Sequence, residues 1–117
     1  MAEPAQGPSR IATEHERGRW FLIGLRGEWD LYDRPELDAA LRAAEASGER
    51  LIVLDLARAT FIDSSVLGAL VETRKRLDGN VGIAVVAEDR QIRKVFEITG
   101  LDSVFTLHGT RSELGSA

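Results

Sequence analysis

The chain has 117 residues, 44% of them apolar, which suits one domain around a single core and argues against disorder. Its formal net charge of −4 gives no electrostatic case for a nucleic-acid-binding surface, and the absence of cysteine excludes a disulfide framework and thiol chemistry. No apolar run approaches the length of a membrane span and no secretory signal opens the chain, so a cytoplasmic protein without membrane contact is expected.

Met1 to Ser9 holds two prolines and a glycine and reads as a flexible leader, which leaves residues 10–117 as the domain. Ile11 to Glu16 is a weak strand candidate and Trp20 to Leu25 a strong one, and Arg17-Gly18-Arg19 between them suggests a hairpin. Gly27-Glu28-Trp29-Asp30 then leads towards a first helix. Asp33 with Glu36 three residues on has the spacing of an acidic capping box, and Pro35 is tolerated in a first turn. Leu37, Ala40, Leu41 and Ala44 recur at helical spacing, and Gly48 supplies a C-terminal stop.

Leu51 to Leu56 is apolar almost throughout, as in a strand covered on both faces. After it, Thr60 to Leu70 turns into a second helix expected over about Ser64 to Asp78. That helix carries Leu67, Leu70, Val71 and Leu77 on one side and a Glu72–Arg76 pair on the other. Gly68 and Ala69 are small enough for a neighbouring backbone to come close. Val81 to Ala87 is a further buried strand. A helix from about Asp89 follows, with Ile92, Val95, Phe96 and Thr99 on one stripe and Gly100 as its stop. Val104 to Leu107 is expected as a short last strand and Arg111 to Leu114 as a final helical turn. Two strands followed by alternating helix and strand give an α/β domain with one mixed sheet.

The chemistry-bearing stretch is Asp63-Ser64-Ser65, where a strand turns into a helix. A helix start exposes N–H groups without intrahelical partners and favours an anion. Capping alone accounts for such residues in many proteins. An enzyme is the weaker reading. The G-x-S-x-G pattern is absent, only His15 and His108 are available as bases, and neither common nucleotide-binding glycine motif occurs. The acidic cluster and late lysine of a phosphoaspartate receiver are also missing. No cofactor and no metal are expected.

Taken in order, GEWD (27–30), PELDAAL (35–41), LIVLDL (51–56), FIDSSVLGAL (61–70), VGIAVV (81–86) and IRKVFEITGL (92–101) resemble the STAS family over roughly Ile11 to Leu114. Its best-known soluble members are bacterial anti-sigma factor antagonists. The resemblance implies a single mixed sheet of four to five strands with helices mainly on one face. It also implies a regulator that binds an anti-sigma factor with serine kinase activity and releases the sigma factor. Phosphorylation by that kinase weakens the complex, and a phosphoserine phosphatase restores it. Carried over by position, Ser65 is the phosphoacceptor, and Ser64 helps to cap the helix and is a secondary acceptor. Asp63 holds the turn, and Asp30 lies near it. Asp30, Asp63, Ser64, Ser65 and Val66 are then the partner-binding residues, on a monomer or weak dimer. Without the resemblance, Asp30 reads as a turn residue after a strand. Two positions depart from the family pattern: Val66 stands where glycine is common, with methyls expected either to narrow access to Ser65 or to change which partner fits, and Trp29 replaces an aliphatic residue. That indole is expected either on the sheet or in an apolar patch for a partner. The alternative is a STAS module of a lipid-transport or stress-signalling assembly that binds without a phosphate switch.

Overall fold

Gly18 takes a φ of 77° in the link Arg17-Gly18-Arg19, a left-handed conformation that costs glycine little. The turn folds β1 (Ile11–Glu16) back on β2 (Trp20–Trp29) as an antiparallel pair. The structure, a computed structural model, describes residues 9–114, so the expected leader lies outside the described residues except for Ser9. Three strands follow in parallel, β3 (Leu51–Ile62), β4 (Gly82–Val86) and β5 (Thr106–His108), and the sheet order is β1-β2-β3-β4-β5.

That order decides where the helices go. α1 (Arg34–Ala46), α2 (Ser64–Arg76) and α3 (Arg90–Ile98) each connect neighbouring parallel strands, and every crossover steps in the same direction. Right-handed crossovers that never reverse direction put all their helices on one face. The main core lies there: Ile23, Leu25, Ile52, Leu54, Leu56, Ile83 and Val85 of the sheet meet Leu37, Leu41, Leu67, Leu70, Ile92 and Phe96 of the helices. The expected class holds, a single α/β domain with a mixed five-stranded sheet and helices on one face.

Among the described residues the opposite face carries no α-helix. Alternate residues of the same strands, Trp20, Leu22, Val53 and Val86, form a smaller buried cluster there, with Leu114 packed against it. Leu114 belongs to a 3-10 turn, Arg111–Leu114, as expected. Arg111 ties that turn to the sheet, 2.9 Å from Asp55 and 2.5 Å from Glu14.

Several local expectations are corrected. The reciprocal capping bonds form one step earlier than Asp33–Glu36: Asp30 and Asp33 close a 3-10 turn, Leu31–Asp33, and Asp33 makes no side-chain cap for α1. Glu72 and Arg76 do not pair with each other. Arg34 of α1 takes Glu72 at 2.6 Å, and Arg76 reaches Glu45 at 2.6 Å. What approaches Gly68 is the Arg34 guanidinium, 3.5 Å from where a Cβ would stand, and not a backbone. Thr99 is exposed, leaving Ile92 and Phe96 as the buried stripe of α3. Val104 and Phe105 precede β5. Among the described residues no helix is long and apolar enough to cross a membrane.

Candidate functional site: the serine turn at the strand ends

β2 and β3 stay paired to their last residues, Trp29 opposite Ile62. The next residue of each chain segment is an aspartate, so Asp30 and Asp63 leave the sheet side by side. They lie at the carboxyl ends of parallel strands, where α/β sheets commonly place their sites. The Asp63 N–H donates to the Trp29 carbonyl at 3.3 Å, which joins the two exits directly. Two register irregularities, between Gly24 and Arg26 and between Gly27 and Glu28, bring the strand ends level.

Each aspartate then caps the turn it opens. Asp63 Oδ1 accepts the Ser65 N–H at 2.8 Å, and the Asp63 carbonyl accepts from Val66 at 3.1 Å. Asp30 Oδ1 accepts the Tyr32 N–H at 2.9 Å, while the Asp30 N–H donates to Asp33 Oδ2 at 2.9 Å. Arg10 braces the second turn from the start of β1. It lies 2.9 Å from Asp33, donates to the Glu28 carbonyl, and stacks 4.6 Å from the Trp29 ring. The Arg10 hydrogen bond, and after it the Asp30 N–H, hold the Asp33 carboxyl below the usual carboxylate range. Asp30 therefore forms the turn that its place after a strand predicts, and it also stands beside Asp63.

Ser64 is exposed and Ser65 half-buried, and among the described residues neither hydroxyl has a hydrogen-bond partner, so the cap expected in part from Ser64 is made by Asp63 alone. Both lie in the first turn of α2, where the helix dipole favours negative charge. Val66 behaves differently from expectation. Only 1% exposed, it packs in the core, so its side chain presents no surface to a partner. Trp29 is also settled. Its indole is fully buried and donates from Nε1 to the Arg26 carbonyl at 3.0 Å, so it is core and not a patch for a partner.

The surface around the turn holds residues that the sequence pattern did not single out. Leu31 and Tyr32 follow Asp30, Phe61 precedes Asp63 by two, and all three are exposed. For Leu31 and Tyr32 the signal available was apolar residues at a connection, where polar ones are usual.

The histidines stand elsewhere. His15 pairs opposite Phe21, at the other end of β2, and its Nε2 meets Glu49 Oε2 at 2.7 Å. The strand from Phe21 to Trp29 puts it roughly 25 Å from the serine turn. His108 pairs opposite Val86, which pairs with Asp55, some seven residues or roughly 23 Å before the end of β3. Neither reaches Ser65 as a base. Among the described residues no group of three or more His, Cys, Asp or Glu could hold a metal ion.

The comparisons agree with this geometry. The family model described as the STAS domain matches residues 11–114. An anti-sigma-B factor antagonist of Staphylococcus aureus is 33% identical over 97 residues, covering 81% of this chain and 90% of the relative. An anti-sigma factor antagonist from Mycobacterium paratuberculosis superposes with a TM-score of 0.82 at 30% identity, covering 89% of this chain and 88% of that one. The Bacillus cell fate determinant SpoIIAA, solved in its phosphorylated form, shares the fold with a TM-score of 0.64 at 24% identity, covering 88% and 94%. A one-sided five-stranded sheet, an Asp-Ser-Ser turn at its strand ends and a match across nearly all the described residues lead to one family. The chain belongs to the STAS domain family and closely matches its anti-sigma factor antagonists.

Proposed function

We propose that the chain is an anti-sigma factor antagonist switched by phosphate on Ser65. It binds an anti-sigma factor with serine kinase activity and releases the sigma factor. That kinase phosphorylates Ser65, with Ser64 a secondary acceptor, and a phosphoserine phosphatase reverses the step. In this role it acts in the cytoplasm as a monomer or weak dimer. STAS domains are regulatory modules and not catalysts, so the chemistry belongs to the partner.

The observation that carries the reading is the state of the turn. Asp63 fixes the Ser65 backbone while the Ser65 hydroxyl has no partner among the described residues, so a phosphoryl group displaces no internal bond. Phosphate adds about −1.5 to −2 charges. The helix dipole at the start of α2 makes that charge tolerable within the domain, and a protein of the same fold has been solved phosphorylated. A docked partner faces a different balance. It would have to cover the phosphate together with Asp30 and Asp63, and each repulsion costs on the order of 1–3 kcal/mol at intermediate effective dielectric. That amounts to about ten- to a hundredfold in affinity.

The test is a titration of the cognate anti-sigma kinase against wild type, Ser65→Ala and Ser65→Glu, with phosphorylation measured in parallel. Ser65→Ala should bind and resist phosphorylation, and Ser65→Glu should bind about tenfold or more weakly while melting as wild type does. Full phosphorylation of Ser65→Ala, or wild-type affinity of Ser65→Glu, would remove Ser65 from the switch.

A further inference from the structure

Five large apolar side chains are exposed among the described residues, and three of them, Leu31, Tyr32 and Phe61, flank the serine turn. Scattered apolar residues on a surface need no explanation, but a cluster at one edge does. Leu31 and Tyr32 follow Asp30 directly, and Phe61 stands opposite Glu28 in the pairing that ends at Trp29 and Ile62. Their exposures are 62%, 88% and 49%.

These side chains are displayed on a braced backbone. The 3-10 turn that carries Leu31 and Tyr32 is closed by reciprocal bonds between Asp30 and Asp33, and Arg10 anchors Asp33 from outside the turn. A phenol on a turn fixed in this way loses little backbone freedom when covered, which favours it as an anchor. The charges around it are also uneven. Asp33 and Asp38 are paired with Arg10 and Arg34, and Asp30 and Glu36 lie within the field of Arg10, whereas Glu28 and Asp63 have no ion-pair partner among the described residues. An apolar centre with an acidic rim complements a surface with an apolar depression and a basic rim.

We infer that Leu31, Tyr32 and Phe61 form the docking patch beside the serine turn. Its occupant is a protein surface with an apolar cavity rimmed by lysine or arginine, and the Leu31-Tyr32 pair sets which partner fits. The inference rests on the proposed antagonist role, in which that surface belongs to the anti-sigma kinase, and adds what makes the kinase choose this antagonist. Phosphate at Ser65 then acts at the border of a contact whose anchors lie next to it.

The experiment uses the full chain in its native cell, with Tyr32→p-benzoylphenylalanine as a photocrosslinker. Ile98→p-benzoylphenylalanine is the control, because Ile98 is 75% exposed at the far end of α3. The captured protein is identified, purified and titrated against wild type, Tyr32→Ala, Leu31→Ser, Glu28→Gln, Ile98→Ser and Ser65→Glu. Position 32 should capture a protein that position 98 does not. Tyr32→Ala should weaken it about tenfold or more, Glu28→Gln should slow association and reduce its salt dependence, and Ile98→Ser should bind as wild type does. No capture at position 32, equal capture at both positions, or wild-type affinity of both Tyr32→Ala and Leu31→Ser overturns the patch. If the captured protein loses affinity for Tyr32→Ala but is not an anti-sigma kinase, the patch stands and the antagonist role falls. If an anti-sigma kinase rejects Ser65→Glu yet binds Tyr32→Ala fully, the role stands and the patch falls.

Discussion

Trp29 shows how much one side chain holds at the exit of β2. Its indole is fully buried, its N–H occupies the Arg26 carbonyl, and Arg10 covers one ring face at 4.6 Å. Trp29→Ala should therefore destabilise by about 3–5 kcal/mol, read as a lowered urea midpoint. A loss below about 1 kcal/mol would mean the site collapses around the gap. Asp33, which the same arginine holds, makes a prediction about pH. Its carboxyl lies below the ordinary value of 3.8, first because of Arg10 and then because of the Asp30 N–H. A carboxylate depressed in the fold contributes stability that is complete above its unfolded pKa and disappears as pH falls through the folded one. Glu49, lowered by His15 and then by the Gly18 N–H, acts with the same sign. Asp33→Asn should thus lose stability at pH 7 and show a smaller drop between pH 7 and pH 3 than wild type. Denaturation curves across that range check it, and an unchanged acid slope would contradict it.

In α2, one face is buried and the other meets α1, so two neighbouring substitutions should differ widely. Leu67 is 4% exposed in the main core, and Leu67→Ala should cost about 2–5 kcal/mol. The Glu72 side chain is 60% exposed beside Arg34, and Glu72→Ala should cost less than about 1 kcal/mol. Equal midpoints would mean that the helix is rotated from its described phase. Leu67 was legible in the sequence because burial on one face imposes helical spacing, and the same holds for Leu37, Leu41, Ile92 and Phe96. The partner of Glu72 was not. Spacing shows only neighbours on the same helix, while Arg34 and Glu45 arrive from α1 and intercept the pair. Asp30–Asp33 and Asp33–Glu36 have the same spacing, and only the 3-10 turn before α1 decides which pair closes. The strand expected over Leu51 to Leu56 runs on to Ile62, and the irregular register against β2 hides that extension by breaking its alternation. The acids and serines of the site were readable as polar residues at a strand end. The outward display of Tyr32 was not, because an apolar residue in a connection does not reveal which way it faces.

At the scale of the whole molecule, a sheet whose helices all lie on one side must cover its other side by different means. Here the cover is the last described turn. Arg111 spans to Asp55 on β3 and Glu14 on β1, and Leu114 packs on the cluster of Trp20, Leu22, Val53 and Val86. The contact is long-range, 56 residues to Asp55 and 97 to Glu14, so it fastens the end of the chain to its first and third strands. The Asp55 side chain is 11% exposed and the Arg111 side chain 46%, which makes the aspartate the member that suffers when the pair is cut. Arg111→Ala should destabilise by about 1–3 kcal/mol, less than for a fully buried pair because the guanidinium is half in solvent. If the cause is the stranded carboxylate, adding Asp55→Asn to Arg111→Ala should recover part of the loss, so the two single costs will not sum. The cluster should also become more accessible, with Arg111→Ala binding more of an apolar-surface dye under native conditions than wild type. The phosphorylation proposed at Ser65 supplies the control. The serine turn lies at the strand ends and not on the helix-free face, so its rate with the cognate kinase should not change. A wild-type midpoint and dye signal for Arg111→Ala would show that Leu114 and its neighbours close this face without the ion pair.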